Sequence, residues 1–233
     1  MTAKLEIACF DVASAIRAAR AGADRLELCA DYDSGGLTPP PEWLMALHGV
    51  LAVPVHVMIR PGVRPRTRPG VGDFCYSSAE FERMKSDILE FKTLGADGFV
   101  FGILDRADSV DIERNRGLVD LARPLPCTFH RAFDCQEDKA GALEIIIALG
   151  FSTLLTSGIQ GSAMDGKEVL GELVRLADGR IQVMPGGGIR SGTITALASS
   201  VQANWYHSAA RQAEGGTVDE SEVAQMKQAL AMV

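Results

Sequence analysis

The chain has 233 residues, enough to bury a hydrophobic core without disulfide bonds or a structural metal, so we expect a globular protein. Its formal net charge of -7 argues against nucleic acid as a partner, because binding to a phosphate backbone requires clustered Lys and Arg. No apolar stretch approaches the roughly 20 residues that a membrane span needs, and the first strand-like run follows no signal segment, so we expect a cytoplasmic protein without membrane contacts.

Short apolar runs typical of strands alternate along the whole chain with longer segments of helical periodicity. Eight such runs predict strands: Leu5–Cys9, Arg25–Cys29, Val53–Ile59, Gly98–Phe101, Cys127–Phe129, Thr153–Thr156, Ile181–Met184 and Ala203–His207. No linker or low-complexity segment interrupts this alternation. The pattern predicts an α/β fold, a single (β/α)8 barrel of TIM type with parallel strands over residues 1–233. An open doubly wound sheet is the alternative.

Capping signals mark where several helices begin. Asp11 precedes the first helical segment, and Asp219 precedes the last one, with Glu222 three residues later. Ser77 and Glu80 form a capping box before an apolar stripe at helical spacing. These signals predict helices between the strands.

Polar residues end most of the predicted strands. In a parallel barrel the carboxyl ends of all strands surround one mouth, where the βα loops carry the chemistry. Three of the four histidines fall at such positions. We therefore predict a functional site at the mouth that includes Glu27 and Cys29, His56 and Arg60, His130 and Arg131, Ser157 and Gly158, and His207 and Ser208.

The glycine-rich segment Met184–Arg190 leaves the seventh predicted strand and leads into a helix, where barrels commonly hold phosphate. Glycines let backbone N–H groups approach an anion closely, and the helix N-terminus adds a favourable dipole. The predicted anion-binding residues are Arg60, Ser157, Gly158, Gly187, Gly188 and Ser208. A tight turn that needs glycine only for its positive φ is the alternative.

Imidazole and carboxylate groups recur at the predicted mouth, and such a set can act as general acid and base or hold a divalent cation. The predicted catalytic residues are Glu27, His56, His130 and His207, with further carboxylates in adjoining loops at Asp73, Asp105 and Asp134. Glu6 and Glu27 have apolar neighbours in their strands, so each needs a charged partner or a raised pKa. A purely structural layer of ion pairs with Arg25, Arg60 and Arg131 is the alternative.

Cys9 and Cys29 end the first and second predicted strands. Neighbouring strands lie about 4.8 Å apart, so two thiolates there could flank one soft ion such as Cu(I). That site requires both side chains to point the same way, yet Cys29 shares its strand face with Glu27, whereas Cys9 is in register with Ile7. The five cysteines, an odd number without a CxxC pair, are expected to be reduced thiols.

Eight segments carry a resemblance to a known family: Leu5–Cys9, Gly22–Cys29, Gly35–Pro39, Met58–Pro61, Gly72–Ser77, Thr128–Asp134, Leu155–Gly158 and Met184–Gly188. At these residues the chain resembles the CutC-type copper homeostasis family over nearly its whole length. The resemblance implies a cytoplasmic barrel linked to copper handling. It also implies copper binding by the cysteines at positions 9 and 29.

The chain departs from the family pattern in two places. Residues 62–71 are extra, where the family joins the neighbouring motifs almost directly. Trp205 stands where the family commonly has a carboxylate, two residues before His207. We therefore expect the mouth of the barrel to be partly covered by the extra segment. We also expect the charged site beside His207 to be altered.

Three functions follow as hypotheses. The first is copper homeostasis, with Cu(I) as the bound cofactor held by Cys9 and Cys29. The second is an enzyme of isomerase, lyase or aldolase type that acts on a small phosphorylated or acidic metabolite. The third is a non-catalytic scaffold, which leaves the polar strand ends without a use. A homodimer is a further expectation.

Overall fold

The computed structural model describes residues 2–62, 74–159, 161–211 and 216–233. Asp73 and nearly all of the extra segment at 62–71 lie outside the described residues. The strands are β1 Lys4–Cys9, β2 Arg25–Leu28, β3 Val55–Met58, β4 Gly98–Phe101, β5 Cys127–Phe129, β6 Thr153–Thr156, β7 Gln182–Pro185 and β8 Trp205–Ser208. The helices are α1 Val12–Arg20, α2 Pro41–Leu47, α3 Ser78–Thr93, α4 Ile112–Ala122, α5 Lys139–Leu149, α6 Lys167–Ala177, α7 Ser191–Val201 and α8 Glu220–Leu230.

All eight strands belong to one parallel sheet in the order β7-β6-β5-β4-β3-β2-β1-β8. A parallel bridge between Gly186 and His207 joins the two outer strands and closes the barrel. Each strand is followed by a helix, as right-handed βαβ connections require. The predicted (β/α)8 barrel is therefore confirmed, and the open doubly wound sheet is excluded.

The two faces of the sheet have different chemistry. Along β1 and β2 the side chains of Leu5, Ile7 and Leu26 pack against the helices in the main core. The alternating residues, among them Glu6 and Glu27, are also buried but point into the barrel. Because both faces are buried, the strands read as nearly continuous apolar runs broken by polar residues.

Hydrogen bonds at the helix starts confirm the capping predictions. The Ser77 hydroxyl accepts from the Glu80 amide, and the Glu80 carboxylate accepts from the Ser77 amide. Asp219 accepts from the amides of Ser221 and Glu222 at the start of α8. A five-residue 3-10 helix, Arg131–Cys135, follows β5 directly and carries polar side chains of the mouth. In the described part of the chain, no helix has the length and apolar content for crossing a membrane.

The contact between Gly98 and His56 inside the barrel yields a stability prediction. A Cβ at position 98 would lie 2.5 Å from Nε2 of His56, whose side chain is buried. We expect Gly98→Ala to lower the free energy of unfolding by about 1–3 kcal/mol, as overpacked cores do, in a urea titration. The matched control is Gly171→Ala in α6, where the added Cβ meets only a carbonyl oxygen at 3.8 Å. That variant should be neutral or stabilising, and equal stability of the two would contradict the described packing.

Candidate functional site

A cavity of about 220 Å³ opens at the carboxyl ends of the strands. This volume is below that of pockets for drug-sized molecules, so it suits a small metabolite. The lining of the cavity includes apolar side chains, among them Phe10, Met58 and Phe74. Charged and polar groups complete it.

The structure brings together most of the predicted site residues. The predicted residues that line the cavity are Glu27, Arg60, His130, Arg131, Gly187, Gly188, His207 and Ser208. The predicted residues that do not line it are Cys9, Cys29, His56, Ser157 and Gly158. Asp105 lies at a different surface depression, together with loop residues that follow β4 and β5. The predicted residues of the mouth therefore come from the ends of β2, β3, β5, β7 and β8, while β1 and β6 contribute Ala8 and Leu155 to the lining.

A chain of ionisable groups runs through the barrel interior below the cavity. Arg25 donates through Nε to Glu6, and Nδ1 of His207 lies 2.8 Å from Oε1 of the same carboxylate. Nε2 of His207 then lies 3.7 Å from Oε2 of Glu27. Because the strand register pairs Glu6 with both Arg25 and His207, the sheet itself imposes this order. The chain ends at the carboxyl group of Glu27, which lines the cavity.

The environment separates the pKa values of the two carboxyl groups. Burial would raise the pKa of Glu6, but Arg25 and His207 outweigh it and lower that pKa to about 2. Glu27 lacks so close a cation, and burial raises its pKa to about 7. Burial opposes the charged form of His207, yet Glu27 and Glu6 outweigh it and raise the pKa of that imidazole. Oε1 of Glu27 is buried and has no hydrogen-bond partner among the described residues. Glu27 is therefore a carboxyl group placed to exchange a proton near neutral pH.

Trp205 does not remove the charged corner beside β8. Its ring lies over the guanidinium of Arg25, 4.2 Å from the ring centroid, and Lys4 lies at 5.4 Å from the same centroid. The carboxylate partner of His207 comes instead from Glu6 on the neighbouring strand. Sequence reasoning named Glu6 as a buried carboxylate but not as a site residue, because its pairing with His207 depends on the strand register, which the sequence pattern does not contain.

His130 is held as a neutral hydrogen-bond donor at the cavity wall. Burial lowers its pKa to about 3, and the charge of Arg60 acts in the same direction. Its Nδ1 accepts from the amide of Ala132 at 3.3 Å, so the ring hydrogen lies on Nε2, which has no described partner. The ring packs against Phe74 at a centroid distance of 4.7 Å. His130 can therefore donate to an oxygen of a ligand.

His56 lies deeper, beside Glu27 in the strand register and beneath Gly98. Burial lowers its pKa to about 4, with a further contribution from Arg25. Its Nδ1 is buried without a partner among the described residues. His56 therefore supports the interior of the barrel and does not contact the cavity.

The predicted anion-binding residues divide into two groups. Gly187 and Gly188 line the cavity with φ values of +113° and +70°, in the region that favours glycine. The hydroxyl of Ser208 donates to the carbonyl of Ile189 at 2.7 Å, which fixes this turn against β8. Arg60 donates through Nη1 to two carbonyl groups of the loop after β2.

Ser157 and Gly158 do not line the cavity but stabilise the residues behind its wall. The Ser157 hydroxyl lies 2.7 Å from the carboxylate of Asp134 and 3.0 Å from Nη2 of Arg131. A Cβ on Gly158 would meet the carbonyl oxygen of Gly166 at 2.7 Å, so this glycine permits close packing of a loop. Arg131 itself lines the cavity. Sequence reasoning placed Arg131 at the mouth without a binding role, and its position directly after His130 was the signal.

The two cysteines of the predicted copper site lie on opposite faces of the sheet. Cys9 packs in the core between strands and helices, and its register partner is Leu28. Cys29 follows Leu28 and packs inside the barrel with Ala8 and Met58. The structure therefore does not bring the two thiols together, because alternate residues of a strand point to alternate faces. Burial raises the pKa of both thiols well above the ordinary range.

Cys29 has a different sulfur neighbour. The register that pairs Leu28 with Val57 sets Cys29 beside Met58, in the same interior cluster. A Cβ on Gly36 would lie 3.7 Å from the Cys29 sulfur and 3.5 Å from the Met58 methyl group. In the described ranges, no three side chains of His, Cys, Asp or Glu form a group that could hold a metal ion.

The raised pKa of Glu27 predicts a pH dependence of stability. The folded state holds the proton of Glu27 more tightly than the unfolded chain does. The stabilisation that this proton gives the folded state is therefore full below pH about 4.5 and is lost as pH rises through about 7. His207 contributes in the same direction, since its pKa is also raised. Between these pH values, the free energy of unfolding of Glu27→Gln should fall less than that of the wild type in urea titrations. Glu144→Gln, a change at an exposed carboxylate, is the control. If the free energy of unfolding of Glu27→Gln depended on pH as that of the wild type does, the raised pKa of Glu27 would be contradicted.

Comparison with known proteins identifies the family. The model of the CutC family matches residues 3–212. A human protein named copper homeostasis protein cutC homolog is 43% identical over 207 residues, which cover 89% of this chain and 73% of the human protein. A family protein CutC of Xanthomonas campestris is 42% identical over the same length and is covered to 83%.

A solved structure agrees with this assignment. The putative copper homeostasis protein CutC of Streptococcus agalactiae superposes with a TM-score of 0.80 at 28% identity, covering 89% of this chain and 98% of that one. The fold, the sequence motifs and the relatives agree. The chain therefore belongs to the CutC family.

Proposed function

We propose that this protein binds a small anionic metabolite at the mouth of its barrel and moves a proton to or from it through Glu27. The observation that carries the proposal is the carboxyl group of Glu27 at the cavity, buried, with a pKa of about 7. An acid with a pKa near the working pH is populated in both forms, so it can act as base and then as acid. Perturbed groups in a cleft are typical of catalytic sites.

The neighbouring groups give this proton transfer a direction. As a carboxylate, Glu27 would take a proton from a C–H or O–H group of the metabolite and become the neutral acid. The neutral imidazole of His130 would donate from Nε2 to an oxygen on which negative charge develops. Return of the proton to a different atom completes an isomerisation and restores Glu27. Glu6 and Arg25 hold His207 in place and touch no cavity atom in this scheme.

The test is a search for proton exchange. The wild-type protein is incubated in D2O with a panel of small phosphorylated and carboxylic metabolites, and NMR follows deuterium uptake or conversion. We expect turnover of at least one compound and a loss of roughly 100-fold or more in Glu27→Gln, in the range of lost acid–base catalysis. Glu144→Gln, a surface carboxylate paired with Arg180, is the matched control and should keep full activity. Turnover at the wild-type rate in Glu27→Gln, or none on the whole panel, would contradict the proposal.

A role in copper homeostasis is the second candidate function. It is favoured by the name of the human relative, a copper homeostasis protein homolog, and by the thiol and thioether of Cys29 and Met58, which lie side by side in the interior. Thiolate and thioether sulfurs are the soft ligands that Cu(I) prefers, and both residues fit such an ion by their chemistry. Cys9 faces the outer core, so this candidate assigns Cu(I) to Cys29 and Met58. The reduced thiols this requires agree with a cytoplasmic location, which we also propose.

A Cu(I) titration against a competing chelator tests the copper candidate. We expect Cys29→Ser and Met58→Leu each to weaken Cu(I) binding by tenfold or more, since each removes one of two soft ligands. Cys9→Ser is the matched control with a thiol on the other face, and it should change the affinity less than threefold. Equal losses of Cu(I) affinity in Cys9→Ser and Cys29→Ser would support a site formed by both cysteines. An affinity unchanged in all three variants would exclude direct Cu(I) binding by these residues.

A further inference from the structure

Asp134 organises the wall of the cavity on the side of β5 and β6. Its carboxylate accepts from the hydroxyl of Thr156 at 2.5 Å and from the hydroxyl and the amide of Ser157 at 2.7 and 3.1 Å. It also accepts from Nε of Arg131 at 2.7 Å. The side chain of Asp134 is almost fully buried. Several donors from a strand end therefore fix a carboxylate that forms an ion pair with Arg131.

Arg131 is held in one orientation with part of its guanidinium left available. Nε donates to Asp134, while Nη2 donates to the Ser157 hydroxyl and to the carbonyl of Gly161, both at 3.0 Å. No described residue accepts a hydrogen bond from Nη1. That nitrogen lies 3.3 Å from the position of a Cβ on Gly187. The free corner of the guanidinium therefore lies against the glycine turn, and Arg131 lines the cavity.

The glycine turn supplies the second half of an anion site. Gly187 and Gly188 have positive φ values, a conformation in which successive amide groups can converge on an anion. The eleven-residue helix α7 begins at Ser191, next to the turn, and the amide of Ser191 already donates to the carboxylate of Glu222. His130, whose buried Nε2 lacks a described partner, lines the same cavity. Polar groups that follow β5 and β7 thus meet at one small volume.

We propose that Arg131 anchors a phosphate group of the metabolite against the Gly187–Gly188 turn, and that Asp134 is the residue that positions Arg131. The inference rests on the proposed function and names its class of substrate, a small phosphorylated compound. A guanidinium and glycine amides together match the several oxygens and the double charge of phosphate better than the two oxygens of a carboxylate. A cavity of about 220 Å³ leaves room for a phosphate group and a short carbon chain.

Bound in this way, the metabolite has a defined orientation. The phosphate group lies on the β5–β7 side, and the rest of the molecule extends across the cavity toward Glu27 and the apolar side chains of Phe10 and Met58. Arg131 binds without taking part in proton transfer. Its loss should therefore raise KM for a phosphorylated substrate far more than it lowers kcat.

Inorganic phosphate is the probe for this anchor. Its affinity for the full chain is measured by calorimetry and by broadening of the 31P resonance. We expect Arg131→Met to lose roughly tenfold or more in affinity, as expected for loss of a charged hydrogen bond. Arg131→Lys should also bind less tightly than the wild type, because lysine lacks the rigid fork that reaches Asp134 and the ligand together. Ser157→Ala should cause a smaller loss. Arg180→Met, an exposed arginine paired with Glu144, is the matched control and should change nothing.

Each result decides the inference. Phosphate binding of equal strength in Arg131→Met and Arg180→Met would overturn it, as would a wild-type protein that binds no phosphate. Acetate bound through Arg131 as tightly as phosphate would assign the anchor to carboxylic acids and overturn the phosphate class. Circular dichroism of Arg131→Met checks the fold, and a misfolded variant leaves Arg131→Lys as the deciding one. Phosphate binding is measured without turnover, so the two proposals are tested independently. The role of Arg131 can be disproved while proton exchange by Glu27 is observed, and proton exchange can be absent while Arg131 binds phosphate.

Discussion

The pairing of Glu6 with Arg25 and His207 inside the barrel is the interaction on which the site depends. A carboxylate in the interior of a folded protein is costly unless it is paired, and here one cation and one imidazole share it. This pairing fixes the charge of Glu6 and the orientation of His207, and so it decides the electrostatic environment of Glu27. Buried ion pairs contribute little net stability compared with well-packed apolar residues. A barrel that needed only stability would be served as well by an apolar interior.

Much of the fold could be predicted from periodicity. The bounds of β4, β5 and β6 agree with the predicted runs, because turn residues flank these strands closely. Other boundaries shift by one or two residues, since they depend on hydrogen bonds to neighbouring strands. The third strand begins at Val55, after Pro54, which has no amide hydrogen to donate. Cys29 is excluded from β2, although its amide still donates to the carbonyl of Cys9.

The candidate site was predicted in part. Topology alone brings Glu27, His130 and His207 to one mouth, since parallel strands end at the same side. Which partner each group takes depends on register and rotamer, and the sequence pattern contains neither. Ser157 could be located at the mouth, for example, but its hydrogen bonds to Asp134 and Arg131 required the three-dimensional arrangement. The alternation of side chains grouped Cys29 with Glu27 and Cys9 with Ile7 but left open whether the two thiols meet, and the structure places them on opposite faces.

Gly98 and His56 are coupled by the space that they share inside the barrel. The imidazole occupies the space in which any side chain at position 98 would begin. A side chain at position 98 therefore requires either a smaller residue at position 56 or a shift of the imidazole that lowers the stability of the fold. Substitutions at the two positions should accordingly be non-additive, since a smaller residue at 56 removes the clash that a side chain at 98 would create. The absence of a side chain at one residue thus determines which chemistry its neighbour is allowed to have.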